Sequence, residues 1–253
     1  MNARADAYRR AGWRAAGLVV LFVGLVVAMP ATQPLFHWAF PALARPVYDR
    51  ATFTTLTVSH IALVATASLV IVVVGVAVGI GVTRPGGREF AGIVGTVTAI
   101  GQTFPPVAIL AIAVPMIGFG AGPTIIALIA YGVLPVLDNT VAGLRSVPVS
   151  ARDASDGMGL TAAQKLFSVE LPLAAPVIVA GIRTSVTISI GTATIGSTVG
   201  ALSLGSPIIE GLSGSNTAYV AQGAILVGLL AVTIDQLFAW LDLRLRRHEP
   251  GSG

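Results

Sequence analysis

Long apolar runs separated by short polar intervals organise this chain, and six of them are candidates to cross a membrane. A crossing needs about 20 mostly apolar residues to cover about 30 Å of hydrocarbon. The first run extends from Ala15 to about Met29. The second, Val58 to Val82, contains no Asp, Glu, Lys or Arg. The third, Phe90 to about Phe119, is broken by Gln102-Thr103-Phe104-Pro105-Pro106, because two prolines remove amide donors from the helix. The fourth covers about Gly122 to Leu137, the fifth follows Pro172 and Pro176 and ends near Val199, and the sixth runs from about Tyr219 to Leu241. The pattern predicts an all-α membrane protein of about six transmembrane helices. Residues 1–50 hold an N-terminal segment, the first helix and an external loop; residues 51–245 form the core, with a cytoplasmic connection at 138–172; residues 246–253 are a tail.

Charge orients these spans. Arg4, Arg9, Arg10 and Arg14 precede the first, and Arg84 and Arg88 follow the second. Arg145, Arg152 and Lys165 lie between the fourth and fifth, and Arg244, Arg246 and Arg247 follow the sixth. Twelve of the 15 basic residues therefore fall on one face, against Arg45 and Arg50 on the other and Arg183 within the fifth span. By the positive-inside rule both termini are cytoplasmic. The first run also has the form of a signal peptide, with Val26 and Ala28 as small residues for cleavage. Its removal would leave five spans, and a retained helix is the preferred reading. Trp13 and Trp240 at the inner edge and Trp38 at the outer one read as interfacial anchors.

Composition agrees that lipid is the solvent. Hydrophobic residues make up 55% of the 253, charged residues 10%, and the mean hydropathy is +0.86. No soluble domain of this size buries so much apolar surface. Charge is also too sparse for the clustered Lys and Arg of a nucleic-acid binder. There is no cysteine, so disulfide, thiol and iron–sulfur chemistry are excluded. The single lysine, Lys165, follows Ala163-Gln164, so no GxxxxGK[ST] phosphate loop exists. His37, His60 and His248 have no metal-ligand spacing. Only Arg183 and Asp235 are ionisable and well inside spans; they are functional suspects, or side chains that snorkel to a nearby interface. An enzyme is disfavoured, and the residues suggest no cofactor bound by the chain itself.

The connection Asp138 to Pro172 carries the most information. Ser150-Ala151-Arg152-Asp153 and Thr161-Ala162-Ala163-Gln164 both have capping-box spacing. Between them Gly157-Met158-Gly159-Leu160 permits a tight bend. Two short helices at an angle are expected, with Met158 and Leu160 projecting at the elbow. Such a knob fits docking of another protein, or a hairpin lying on lipid headgroups.

These residues resemble the membrane permeases of bacterial ABC importers, whose hallmark is E-A-A, three residues, G, nine residues, I-x-L-P. Here the same spacing reads Asp153-Ala154-Ser155, Gly159, and Val169-Glu170-Leu171-Pro172, with Asp for Glu, Ser for Ala and Val for Ile. The resemblance implies a type I ABC importer permease fold in the cytoplasmic (inner) membrane. It implies that Asp153, Ala154, Ser155, Gly157, Met158, Gly159, Leu160, Val169, Leu171 and Pro172 couple the spans to a partner ATPase subunit, which would bind ATP and Mg. It further implies a second permease copy or sister permease, and an extracytoplasmic solute-binding protein. Gly101-Gln102-Thr103-Phe104-Pro105-Pro106, Gly181-Ile182-Arg183-Thr184 and Ile188-Ser189-Ile190-Gly191-Thr192-Ala193-Thr194 look like the quaternary-amine subgroup, importers of glycine betaine, choline and carnitine. Leu134-Pro135-Val136-Leu137-Asp138-Asn139-Thr140 also fits, with Asp138 where a basic residue is expected.

On a helical wheel Thr184, Thr187, Gly191, Thr194 and Thr198 form one polar stripe of the fifth span, and Ser185, Ser189, Thr192 and Gly196 a second. Both stripes suit helix packing, or one lines a path for solute. The translocation candidates are Gln102, Thr103, Thr184, Thr187, Ser189, Thr192 and Thr194. Few aromatics (Phe90, Phe104, Phe119, Tyr131, Phe238) are available to cage a quaternary ammonium, which suggests that specificity resides in the binding protein. An ion-coupled secondary transporter is the main alternative, and it would need intramembrane acids.

Overall fold

The structure, a computed structural model, describes residues 2–245; the tail 246–253, with Arg246, Arg247 and His248, lies outside the described residues. Every regular element among the described residues is helical. Helix α1 (Asn2–Ala28) continues through a 3-10 turn, Met29–Thr32, into α2 (Gln33–Ala39), so the first span reaches well past Met29. Pro30 and Pro34 occupy first-turn positions of these segments, where a missing amide leaves no hydrogen bond unmade. Then follow α3 (Phe53–Thr83), α4 (Ala91–Thr103), α5 (Pro106–Ile117), α6 (Ala121–Ser146), α7 (Val149–Gly157), α8 (Ala162–Lys165), α9 (Leu171–Thr192), α10 (Ser206–Ser213) and α11 (Thr217–Leu245).

Among the described residues five stretches are long and apolar enough to cross a membrane, and the α4–α5 pair is bent by 93°. The packing shows what that pair is. A Cβ added at Gly132 would meet Ile71, one at Gly75 would meet Val136, and one at Gly79 would meet Thr140. Residue numbers rise together, so α3 and α6 run parallel. The chain must therefore recross the membrane between them, and α4–α5 is the segment that does so. It is a broken span, the sixth.

The break is satisfied by residues on α6. Pro135 has no amide to offer the carbonyl four residues back, and that orphaned Tyr131 oxygen accepts Gln102 Nε2 at 2.7 Å. In return the Tyr131 hydroxyl donates to the Phe104 carbonyl at the bend, also at 2.7 Å. Two irregularities, one in each helix, answer each other as hydrocarbon demands.

Small residues let the central helices approach closely. An added Cβ would lie 2.9 Å from Val136 at Gly75 and 2.7 Å from Thr140 at Gly79. Along the antiparallel seam of α6 with α9 and its 3-10 continuation, Ala193–Val199, Gly181 faces Pro135 and Asn139, Ser185 faces Gly132, and Gly196 faces Thr124. Gly79→Val should therefore lower the midpoint of thermal unfolding in detergent by several degrees, since overpacking costs about 1–3 kcal/mol. Gly81→Ala, with nothing within 4 Å of its added Cβ, should leave the midpoint unchanged.

Helix α1 lies along α11: Tyr8 stacks on Trp240 with ring centroids 5.6 Å apart, and Gly12 makes room for the indole. Trp240 is thus a helix-packing residue, whereas Trp13 and Trp38 stay exposed as interfacial anchors would. Phe22, Val26 and Met29 of the first span share a buried cluster with Phe53, Leu56, Leu128 and Leu226. Arg183 and Asp235 do not reach outward separately. They form a two-pronged pair between α9 and α11, Nε to Oδ1 at 2.6 Å and Nη2 to Oδ2 at 2.7 Å.

On the external side, the loop after α2 is stapled to α11. The buried Gln222 side chain accepts from Tyr48 N at 3.1 Å and donates to Pro46 O at 2.6 Å. The Tyr48 hydroxyl donates to Glu210 of α10 at 2.7 Å. Burial, and then the Glu210 carboxylate, push this phenol up, so it remains a donor across the physiological range.

Candidate functional site

The connection expected over 138–172 is shorter in the structure. Helix α6 continues to Ser146, because its polar run is satisfied within the helix: Asn139 donates to Pro135 O and Thr140 to Val136 O. Asp138 is therefore helical and exposed, not part of a loop. The first expected capping box does not form. Pro148, extended at φ −56° and ψ 138°, takes the N-cap position of α7, and Ser150 lies inside the helix. The second does form, with Thr161 and Gln164 bonding each other's backbone amides. The two short helices are not equivalent either. Helix α8 runs through a π-helical turn, Leu166–Glu170, into α9, so Ala162–Val199 is continuous and the fifth span begins before Pro172 and not after it. The wider turn ends just before Pro172, whose ring and missing amide an unbroken α-helix would not accommodate.

The elbow between α7 and α8 is built as a Schellman motif. Leu160 N bonds Ser155 O at 3.1 Å and Gly159 N bonds Asp156 O at 3.0 Å. Gly159 sits at φ +72°, in the left-handed region that favours glycine. Lys165 forms an ion pair with Asp156 and ties the start of the next helix to α7.

Helix α7 presents two faces. Ser155 is buried, and Ala151 packs against the cluster of Leu144, Val147, Ala174 and Ile178. Asp153, Ala154, Gly157 and Gly159 are exposed, and Met158 is 68% exposed at the tip; Leu160 is half-buried. Asp153 makes no ion pair among the described residues. Val169 and Leu171 are half-buried at the root of α9, and Pro172 is exposed. The outer face therefore combines small residues, one apolar tip and one unpaired carboxylate, which suits close docking of another surface.

A residue that sequence reasoning passed over holds this helix in place. Glu170 is 5% exposed and lies at the base of α9. It pairs with Arg84 at the end of α3 at 2.7 Å and with Arg152 of α7 at 3.4 Å. Arg152 also donates to Leu144 O near the C-terminal end of α6. Glu170 thus links α7 to the cytoplasmic ends of α3 and α9, and Arg152 ties the same helix to α6. In the sequence Glu170 is one residue of the Val169–Pro172 motif, and Arg84 and Arg152 are signals of orientation; nothing in one dimension shows that they meet. Glu170→Ala should destabilise the protein by about 2 kcal/mol in a denaturation series. That is below the 3–5 kcal/mol typical of a broken buried pair, since the Arg84 and Arg152 side chains remain 33% and 34% exposed.

The two stripes of the fifth span separate. Ser185, Ser189 and Gly196 are buried, Ser189 at 1% exposure, so this stripe packs. Its Thr192 is half-buried. Thr184, Gly191 and Thr198 are exposed and Thr194 half-buried, on a face the chain leaves open, whereas Thr187 is half-buried with its hydroxyl turned inside. Gln102 is committed to Tyr131, while Thr103 is exposed at the break with its hydroxyl on Ile100 O. The described residues hold no group of three or more His, Asp or Glu that could ligate a metal ion.

Comparison with known proteins agrees with this geometry. Residues 71–247 match the family model for the binding-protein-dependent transport system inner membrane component. The osmoprotectant import permease protein OsmY of Salmonella typhimurium is 40% identical over 75% of this chain and 80% of its own length. The choline transport system permease protein OpuBB of Bacillus subtilis is 43% identical over 71% and 84%. The glycine betaine/carnitine/choline permease OpuCB of the same organism is 42% identical over 68% and 80%. Among solved structures, a chain of the inward-facing MetNI methionine ABC transporter superposes with a TM-score of 0.67 at 22% identity, covering 76% of this chain and 95% of that one. The fold is thus that of a type I ABC importer permease, and this chain belongs to the family of binding-protein-dependent transport system inner membrane components, as a membrane-spanning permease subunit.

Proposed function

We propose that this permease moves a small quaternary-amine osmolyte (glycine betaine, choline, carnitine or a close analogue) inward by alternating access, driven by a partner ATPase. The observation that carries the reading is α7, closed at its C-terminal end by the Gly159 turn and with an exposed Met158 tip, clamped through Glu170 and Arg152 to three membrane helices. A displacement imposed on that tip has a stiff route to α3, α6 and α9. The coupling set is Asp153, Ala154, Gly157, Met158 and Gly159 on the docking face, with Ser155, Leu160, Val169, Leu171 and Pro172 as its support. ATP and Mg belong to the ATPase.

Substrate class comes from the relatives' names, which the open face of α9 supports without specifying. Thr184, Thr192 and Thr194, with Thr103 at the break, offer weak polar contacts on a face that a single chain leaves partly open. A second copy or a sister permease would close that face and complete the pathway. Asp235, the acid an ion-coupled carrier would use, is already held by Arg183. The solute-binding protein that serves this permease is the place to test the substrate. A thermal-shift screen against trimethylammonium compounds should show stabilisation by one or more of them. Stabilisation only by amino acids or sugars would refute the substrate class while leaving the transport mechanism untouched.

A further inference from the structure

Four arginines meet at the cytoplasmic ends of the membrane helices with one carboxylate among them. Arg84, Arg88, Arg145 and Arg152 line a cavity of about 410 Å³ together with Glu170. Glu170 is occupied by Arg84 and Arg152. Arg88 and Arg145 are exposed and have no acidic partner among the described residues. Four arginines lining one cavity with a single carboxylate leave a local excess of positive charge, which a bound anion would relieve.

A second cavity, of about 320 Å³, shares Val82 and Arg145 with the first. It continues between α4 and α6, lined by Ala91, Val94, Leu137 and Val141, with Asp138 as its one acidic group. Val82 closes the apolar run of α3 and Leu137 that of α6, so this part of the groove lies at the cytoplasmic edge of the hydrocarbon. Phe90, next to Ala91 in the chain, is exposed. A cationic pocket at the cytoplasmic edge that opens into an apolar groove matches one kind of molecule: an anion with a hydrocarbon tail.

We propose that the Arg84–Arg88–Arg145–Arg152 pocket binds the phosphate of an anionic phospholipid of the cytoplasmic leaflet, with an acyl chain in the adjoining groove. Arg88 and Arg145 supply the charge, while Arg84 and Arg152 are shared with Glu170. The lipid would then sit against the same residues that clamp α7. This assignment rests on the membrane orientation alone and stands whatever solute is carried.

Native mass spectrometry of the full-length chain in detergent, titrated with phosphatidylglycerol or phosphatidylcholine, tests it. Phosphatidylglycerol should be retained at least about tenfold better, and Arg88→Gln with Arg145→Gln should weaken it about thirtyfold, at roughly fivefold per arginine. Ala142→Trp, which fills the groove and leaves every arginine in place, should weaken it too. Gel filtration checks that each variant remains folded. Equal retention of the two lipids, or retention unchanged in the double variant, would overturn the proposal. So would displacement by millimolar inorganic phosphate, which would make the site one for a free anion. Displacement by the bound ATPase would overturn it as well, by assigning the pocket to the partner protein.

Discussion

A Met158→Asp variant is expected to reach the membrane at the wild-type level and to lose its ATPase on purification. Met158 is 68% exposed at the tip of α7 and closes no part of the core, so the substitution does little to the fold. A docked Met would be buried against the partner, and an added carboxylate there must be desolvated without a counter-charge. Asp153 and Asp156 already place negative charge on the same short helix. Loss of a buried tip at an interface costs about 2 kcal/mol or more, which is thirtyfold or more in affinity. Transport should fall with it, while binding of solute to the extracytoplasmic protein stays unchanged. A Met158→Leu control, of similar volume, should retain the ATPase. If the ATPase stays with Met158→Asp, the docking face has been misassigned.

The second large effect concerns the pair inside the membrane. Asp235→Asn removes the counter-charge of Arg183, which lies about three turns into α9. An unpaired arginine at the centre of a spanning helix costs about 2.5–3.5 kcal/mol, and less where its side chain can reach an interface. A destabilisation of about 2 kcal/mol is therefore expected, read as a lower unfolding midpoint and reduced yield. Arg183→Leu should be milder, since the remaining Asp235 can neutralise itself by taking a proton. The exchanged pair, Arg183→Asp with Asp235→Arg, should recover much of the loss, because the same two prongs can form in reverse. Wild-type stability in Asp235→Asn would show that the pair contributes nothing to holding α9 on α11.

Much of the architecture was written in one dimension. Six apolar runs and the placement of arginines gave the number and direction of spans, because hydrocarbon imposes length and orientation on each segment independently. The α7 elbow was also legible, since Gly159 and the Thr161 cap act over a few residues. Helix ends were less so. The Asp138-Asn139-Thr140 run reads as a terminus and is interior, because Asn139 and Thr140 bond back to their own helix. The partnerships that matter most were invisible. Gln102 serves a carbonyl freed by Pro135 four residues beyond it, and Glu170 joins arginines from two other elements. Each depends on the register between helices, which hydropathy does not encode. The same holds for the two stripes of α9, equal on a wheel and separated only once α6 is packed against Ser185 and Gly196.

Uptake into proteoliposomes, containing this permease with its ATPase and supplied with the binding protein and a labelled trimethylammonium solute, tests the central claim most directly. Accumulation should require ATP on the side of α7, should persist when every ion gradient is collapsed, and should vanish with Met158→Asp. Accumulation driven by an ion gradient in the absence of ATP would contradict it.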